Sequence, residues 1–277
     1  MKKRLVKSII AAVMIFSAGT TGTAMATPST HLWSPSTDIQ PYGVFHLTAD
    51  TYLSVKGEDE QVGGAVGSRP DPVINMGLTL GILPYEKLQM EIGFDHITGY
   101  SFYTGSDLDD SPMYFNAKLG IPEGAFGEYF PALAIGGYMF GTRSGEARAG
   151  QTAEPGTDYN IYYAKIAKTF DPLGRFSVGY YKGNEKLLVD ENGKEEDDGL
   201  LLAWERTMTE ISDKLWLSID YMGGDNGFSA ISYGFSWKFA PNVSVIFAYV
   251  DTLNDKLAFV EDWFTVQVDI DFNLFGK

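Results

Sequence analysis

The segment Phe264–Leu274 restricts the fold most, because its apolar and polar side chains alternate without interruption. Apolar residues occupy every even position from 264 to 274, and polar residues occupy the odd positions between them. Side chains of a β-strand point to opposite faces with a period of two, so this segment has one apolar and one polar face. Its length matches the ~9–11 residues of a tilted membrane-spanning strand, whereas an ordinary strand has ~5–6. The pattern therefore predicts one strand of a β-barrel in lipid.

The beginning of the chain has the features of a Sec-type signal peptide. Basic residues near the N-terminus precede the apolar stretch Ile9–Phe16, and Ala24–Ala26 provides a small-residue cleavage site. The apolar stretch is much shorter than the ~20 residues of a membrane-spanning helix. We therefore expect a signal peptide over 1–26, a short N-terminal segment over 27–42 and a β-barrel domain over 43–277.

The composition excludes several classes of protein. The chain has 36 acidic and 21 basic residues, a formal net charge of −15, and no cysteine. Nucleic acid is therefore not an expected partner, since phosphates are bound by Lys and Arg. The absence of cysteine excludes a disulfide framework. A hydrophobic content of 44% argues against a disordered acidic chain, so the apolar residues must be buried.

The alternating pattern recurs along the whole domain, and its connections alternate in length. The predicted strands are Gly43–Val55, Val73–Leu83, Leu88–Ile97, Met113–Ile121, Ala132–Phe140, Tyr159–Phe170, Arg175–Lys182, Leu200–Thr207, Lys214–Met222, Ser229–Phe239, Val243–Val250 and Phe264–Leu274. The connections after odd-numbered strands are mostly long and polar, and those after even-numbered strands are mostly short. Long external loops, short periplasmic turns and an even strand number are typical of bacterial outer-membrane barrels.

A water-soluble sandwich or lipocalin-like barrel is the alternative that alternation alone permits. Such a fold would turn its apolar face inward and cover its outside with Lys and Glu. Here the polar face is small, weakly charged and rich in Gly, Ser, Thr and Asn, which suits the inside of a membrane barrel. We therefore predict an all-β protein, a transmembrane antiparallel β-barrel of about 12 strands in up-and-down meander order.

In this architecture the chain resembles the porin-like outer-membrane β-barrels of Gram-negative bacteria, over residues 43–277 and without a diagnostic motif. The resemblance implies insertion into the outer membrane by the barrel-assembly machinery, with membrane lipid and lipopolysaccharide as neighbours. It also implies passive diffusion of small hydrophilic solutes. Two other interpretations stay open: a structural or partner-binding barrel with a closed lumen, and a lipase or protease of the outer membrane. A homo-oligomer or a periplasmic partner is compatible with each.

The polar faces of the strands supply the candidate pore lining. The candidates are His46, Asp50, Gln89, Glu91, Asp95, Asn116, Lys118, Lys165, Glu205, Asp220, Lys238, Gln267, Asp269 and Asp271. Acids outnumber bases in this set, and the longest loops are acidic as well; 183–199 has seven acids against two lysines. Negative walls and mouths attract cations, so we expect any conductance to prefer cations. Alternatively, pairs such as Glu91 and Lys118 on neighbouring strands only neutralise each other.

No catalytic, metal or cofactor site is expected from the sequence. Three histidines are available, and His46 and Asp50 share a strand face about 13 Å apart, at ~3.3 Å per residue. That separation is beyond hydrogen-bonding reach. The His-x-Ser pattern of outer-membrane phospholipases does not occur, and metal-ligand spacings and Gly-rich phosphate loops are absent.

Two connecting segments carry further expectations. The segment 27–42 is rich in Pro, Ser and Thr around Trp33, and it either hangs in the periplasm or folds into the lumen as a plug. In the seventh connection, Asn192-Gly193 is a strong type I′ hairpin signal. It predicts that strands 7 and 8 extend beyond the bilayer.

Overall fold

The computed structural model describes residues 29–55, 72–99, 111–146, 156–254 and 262–275, and the account below concerns these residues. Its elements are β1 (Val44–Ser54), β2 (Val73–Gly81), β3 (Gln89–Thr98), β4 (Met113–Ile121), β5 (Ala132–Gly141), β6 (Asp158–Phe170), β7 (Gly174–Lys182), β8 (Asp198–Thr207), β9 (Leu215–Met222), β10 (Ala230–Ala240), β11 (Val243–Thr252) and β12 (Asp262–Asn273). No helix in these ranges is long and apolar enough to cross a membrane.

The twelve strands form a closed antiparallel barrel in meander order, as the sequence predicts. Each strand pairs with its neighbours in the chain, and β1 closes the barrel by pairing with β12 from Val44↔Asn273 to Ser54↔Trp263. Closure pairs the backbone N–H and C=O groups of every strand, which removes the free edges that a sheet cannot expose to lipid.

The outside of the barrel is apolar. On β8, Leu200 and Leu202 are 50% and 42% exposed, whereas Leu201 between them is fully buried. The same contrast recurs around the sheet, for example at Ile135 on β5 and Val178 on β7, both exposed. A continuous outer band of apolar side chains is stable in the hydrocarbon of a membrane, so the predicted outward faces are confirmed.

The fifth and sixth strands have the least regular alternation in the sequence, and backbone irregularities explain why. The pairing of β5 with β6 shifts register between Tyr138 and Phe140, and Met139 between them has a φ of 56°. Because a bulge inserts an extra residue, the consecutive Tyr138 and Met139 both pack against the interior cluster. Asn160 on β6 also has a positive φ, of 47°.

The connection between β7 and β8 differs from the sequence prediction. A tight turn does form at Asn192-Gly193, closed by the bridge between Val189 and Glu195. However, β7 ends at Lys182 and β8 begins at Asp198, so the predicted extension of these strands is wrong. The physical reason is burial: Leu187 and Leu188 leave the strand path and pack inside the barrel mouth.

The lipid-facing surface gives a stability prediction at Leu202, which lies at the middle of β8. Leu202→Arg should lower the free energy of unfolding by about 2–4 kcal/mol, because a guanidinium is costly near the bilayer midplane. Leu202→Met keeps the surface apolar and should cost less than about 1.5 kcal/mol. Urea titrations of both variants folded into lipid bilayers test this; equal losses would contradict a lipid-facing position.

Candidate functional site

The inward positions of the strands carry all the predicted lining residues. The side chains of His46, Asp50, Glu91, Lys118, Lys165, Glu205, Asp220, Gln267, Asp269 and Asp271 are buried, and those of Gln89, Asp95, Asn116 and Lys238 are partly buried. They are buried because the lumen is not empty. Residues 29–42, named the N-terminal segment below, lie inside it and contact side chains from several sides of the barrel. That these residues line a conducting path stays a prediction.

The N-terminal segment forms a tight hairpin. Thr30 and Pro35 form an antiparallel bridge, and the His31 N–H donates to the Ser34 carbonyl at 2.8 Å. The Ser36 N–H donates to the Ser29 carbonyl at 3.2 Å. The tip of this hairpin is therefore Leu32 and Trp33, and it points toward the ends of the strands that carry the long loops.

Asp220 on β9 holds the tip by its main chain. The Asp220 carboxylate accepts hydrogen bonds from the N–H groups of Leu32, Trp33 and Ser34 at 2.6, 3.1 and 3.4 Å. From β12, Gln267 Nε2 donates to the Leu32 carbonyl at 2.9 Å. Bonds from backbone N–H groups to a buried carboxylate are charge-assisted and strong, so this carboxylate fixes the position of the tip.

Two buried lysines hold the stem of the hairpin. Lys118 Nζ donates to the carbonyls of Ser29 and Asp38, both at 2.6 Å, and lies 3.2 Å from Glu91 Oε1. Lys165 Nζ donates to the Pro35 carbonyl at 2.8 Å. The predicted Glu91–Lys118 ion pair is therefore present, and it also contacts the N-terminal segment.

Arg175 on β7 is a central residue that the sequence analysis missed. Its Nη1 lies 2.7 Å from Asp38 Oδ1 and 3.2 Å from Glu205 Oε1, and its Nη2 donates to Thr37 Oγ1 at 2.5 Å. The signal was available, since Arg175, Ser177 and Tyr181 share the inward parity of β7. Arg175 therefore links the N-terminal segment to the wall near the short turns.

A carboxylate in the turn after β4 completes this network. Glu123 Oε2 lies 3.7 Å from Arg175 Nε, and Glu123 Oε1 lies 2.9 Å from Lys168 Nζ. Partial burial alone would raise the pKa of Glu123, but hydrogen bonds from Lys168 and Thr169 outweigh burial and lower that pKa. Glu123 is thus ionised at neutral pH and stabilises the Arg175 charge.

Toward the long loops, the interior becomes apolar and aromatic. This cluster, named the aromatic cluster below, consists of Tyr114, Tyr159, Ile161, Tyr163, Tyr181, Leu187, Leu188, Leu201, Met222 and Phe228, with Trp33, Ile97, Tyr138 and Met139 packed against it. Trp33 Nε1 donates to the Phe228 carbonyl at 3.0 Å, which ties the hairpin tip to the cluster. The polar strand faces predict a polar lumen and give no sign that this half is packed with apolar side chains, although inward parity on β6 and β7 marks Tyr159, Tyr163 and Tyr181.

The carboxylates of β1, β3 and β12 fall into two groups. His46 lies between Asp271 and Asp269, with Nδ1 at 2.6 Å from the first and Nε2 at 3.3 Å from the second. Asp50 and Asp95 form the other group, and the amide of Asn75 donates to both, at 3.2 and 3.1 Å. In the described ranges, no cluster of three or more His, Cys, Asp or Glu side chains has the geometry to hold a metal ion.

A cavity of about 190 Å³ remains between the N-terminal segment and the wall formed by β12 and β1 to β6. Trp33 and Phe228 bound it toward the aromatic cluster, and Asp50, Asn75 and Asp95 bound it on one side. The lumen therefore contains a charged network around the hairpin stem, a cavity with a mixed lining and an aromatic cluster toward the loops.

The contacts of Asp220 predict how firmly the hairpin is docked. Ser34 is fully buried and the chain has no cysteine, so Ser34→Cys introduces a unique reporter thiol. Asp220→Ala leaves three N–H groups without their acceptor, and each bond to a charged group contributes about 1.5–3 kcal/mol. Maleimide labelling of Cys at position 34 should therefore accelerate at least tenfold in the double variant.

Asp190→Ala is the matched control, because Asp190 lies in the exposed turn between β7 and β8 and contacts its own loop. It should leave the labelling rate of the reporter thiol unchanged. Equal labelling in the Asp220 and Asp190 variants would contradict the docking role of Asp220.

Comparisons with known proteins identify the fold. No family model and no curated protein matches the chain. Among solved structures, an outer-membrane channel from Pseudomonas putida F1 is 14% identical, with coverage of 86% of this chain and 98% of that chain and a TM-score of 0.52. The KdgM porin in complex with disordered oligogalacturonate is 9% identical, with coverage of 83% and 99% and a TM-score of 0.45. Salmonella typhi OmpF in complex with daunomycin is 8% identical, with coverage of 83% and 96% and a TM-score of 0.40.

At these identities the likeness concerns the fold, and of these three the Pseudomonas channel alone has a TM-score above 0.5. Its architecture agrees with the closed barrel and with the apolar outer band, which requires a lipid environment. The chain therefore has the fold of outer-membrane channel barrels, a closed antiparallel β-barrel with an apolar exterior.

Proposed function

We propose that this protein is a passive outer-membrane channel for small hydrophilic solutes, with a preference for cations, and that the N-terminal segment closes it. The observation that supports this most is how the segment is held. Its contacts with the wall are hydrogen bonds and ion pairs to Asp220, Lys118, Lys165 and Arg175, together with the packing of Leu32 and Trp33. None of these contacts belongs to the strand ladders that close the barrel, so the segment can leave the lumen while the barrel stays intact.

The wall charge supports the cation preference. The inward positions named above carry seven carboxylates against the four bases Lys118, Lys165, Arg175 and Lys238. His46 adds a fifth positive charge, because both of its ring nitrogens face carboxylates and therefore donate, so the formal charge is −2. Arg175 reduces the excess of negative charge that the sequence predicts for the wall, but the net charge of the wall stays negative. A negative wall attracts cations and repels anions at short range.

A second candidate is a barrel whose lumen stays closed and which acts as a structural or partner-binding element. The aromatic cluster favours it, because Leu187 and Leu188 of the β7–β8 connection are buried inside the mouth. Burial of a Leu side chain stabilises a fold by roughly 1.5–3 kcal/mol. In this second candidate the connection keeps the lumen closed even when the N-terminal segment is removed.

Removal of the N-terminal segment distinguishes the two candidates. Deletion of residues 28–40 should increase single-channel conductance in planar bilayers several-fold, because it empties the charged half of the lumen. Unchanged conductance in the deletion variant would reject the plug and favour the closed barrel.

Reversal potentials in a KCl gradient test the cation preference. The deletion variant should prefer K⁺ over Cl⁻. Lys238→Glu in the same background takes the formal wall charge from −2 to −4 and should shift the reversal potential further toward the K⁺ limit. Anion preference, or no shift on charge reversal at Lys238, would overturn the proposal.

A further inference from the structure

The cavity beside Trp33 has two chemically different sides. One side carries Asp50 and Asp95, with Asn75 between them. The other side carries aromatic rings, of which Trp33 and Tyr52 make an edge-to-face contact with centroids 5.8 Å apart. An amphiphilic lining of this kind suits a ligand with a polar head and an apolar body.

The barrel register places the apolar residues directly beside the polar ones. Asp50 pairs with Asn75 across β1 and β2, and one inward position further toward the long loops Tyr52 pairs with Val73. Successive inward residues of a strand are ~6.6 Å apart at ~3.3 Å per residue. A small molecule can therefore contact the Asp50–Asn75 pair and the Tyr52–Val73 pair at the same time.

The two carboxylates have neutral partners. Asp50 accepts from Thr48 Oγ1 at 2.5 Å and from Asn75 Nδ2, and Asp95 accepts from the amides of Asn75 and Asn116. Among the described residues, no Lys, Arg or His nitrogen lies within ion-pair distance of either carboxylate. The nearby bases have other partners: Lys118 contacts Glu91, Arg175 contacts Asp38 and Glu205, and His46 contacts Asp269 and Asp271.

Two further details point to a missing donor. Because Asn75 Nδ2 donates to both carboxylates, its Oδ1 is fixed in the opposite direction, and this buried oxygen has no hydrogen-bond donor among the described residues. At Gly77 a Cβ atom would lie 2.6 Å from Asp95 Oδ1 and 2.4 Å from Thr48 Cγ2. A side chain at position 77 would thus displace Asp95. Because residue 77 is glycine, the Asp95 carboxylate has room to accept the hydrogen bond from Asn75.

We propose that this cavity binds small organic ammonium ions with an apolar body, such as a primary arylalkylamine, with the ammonium group at Asp50 and Asp95 and the body against Trp33 and Tyr52. A primary ammonium has three N–H donors and no acceptor, so it can donate to both carboxylates at once. Aromatic faces attract cations and cover the apolar body. An apolar cavity of about 150 Å³ holds a benzene molecule, so a cavity of about 190 Å³ holds one ring with a short chain.

The inference rests on the proposed function in taking the lumen as the route of the solute, and it names the class of solute. Its test measures binding to the full-length mature protein in detergent micelles, where no transport is involved. A failure of binding and a failure of conductance are therefore separate results.

The probes are 2-phenylethylammonium, its neutral isostere 2-phenylethanol and the anion 3-phenylpropanoate, each titrated by calorimetry. The ammonium ion should bind at least tenfold more tightly than the alcohol, and the carboxylate should not bind. Asp95→Asn and Asp50→Asn should each weaken ammonium binding about tenfold or more, since a charge-assisted hydrogen bond is lost. Asp197→Asn is the matched control, because Asp197 is a buried carboxylate that contacts Lys182 outside the cavity.

Trp33→Ala tests the aromatic side of the site separately from the carboxylate side. This variant should bind the ammonium ion and the alcohol more weakly to the same extent, whereas Asp95→Asn should weaken the binding of the ammonium ion alone. Equal affinity of the wild-type protein for ammonium and alcohol, or no ammonium binding, would overturn the proposal even if a variant fails to fold. Equal loss in the Asp95 and Asp197 variants would overturn it as well.

Discussion

The hydrocarbon of a membrane offers no water to the peptide backbone, and this constraint governs the whole structure. Every N–H and C=O group at membrane depth must find a partner within the protein, and a sheet does this when its first and last strands pair. The β1–β12 ladder, from Val44 to Ser54, supplies that pairing. Closure then separates the side chains into an outer set in lipid and an inner set that must be accommodated together.

The inner set explains why the lumen is filled. Seven carboxylates on inward positions repel each other, and the five positive side chains among them cannot reach all of them. The N-terminal segment adds main-chain donors for Asp220 and Glu91 and main-chain acceptors for Lys118 and Lys165. It thereby satisfies buried charges of both signs while adding Asp38 as its own carboxylate. The segment acts mainly as a polar filling, and its Ser, Thr and Pro residues bring peptide groups into the lumen with a single carboxylate.

The sequence predicts the barrel well because alternation is a local property. A period of two over Phe264–Leu274 decides which side chains face lipid, and the same reasoning applies to each strand. Even the inward orientation of Arg175 and Tyr163 follows from the alternation along their strands. The bulge at Met139 cannot be predicted in this way, because its positive φ depends on how β5 pairs with its neighbouring strands.

The contents of the lumen are the part that the sequence could not decide. Residues 29–42 have no periodicity, and their partners lie far away in the chain, such as Asp220 for Leu32 and Glu91 for Gln40. The sequence leaves a periplasmic tether and a plug as equal alternatives for this reason. The aromatic cluster is equally hidden, since Leu187 and Leu188 belong to a loop whose burial no strand pattern indicates.

The recognition of the hairpin through its main chain has an evolutionary consequence. Asp220, Lys118 and Lys165 mostly contact peptide N–H and C=O groups, which every residue except proline provides in full. Within the space that the buried side chains at 31 and 34 fill, relatives can therefore vary the hairpin residues while keeping the wall residues, and the wall would change more slowly than the peptide it holds. Homologous segments would then be identified by their length and by the position of their turn, and poorly by sequence similarity.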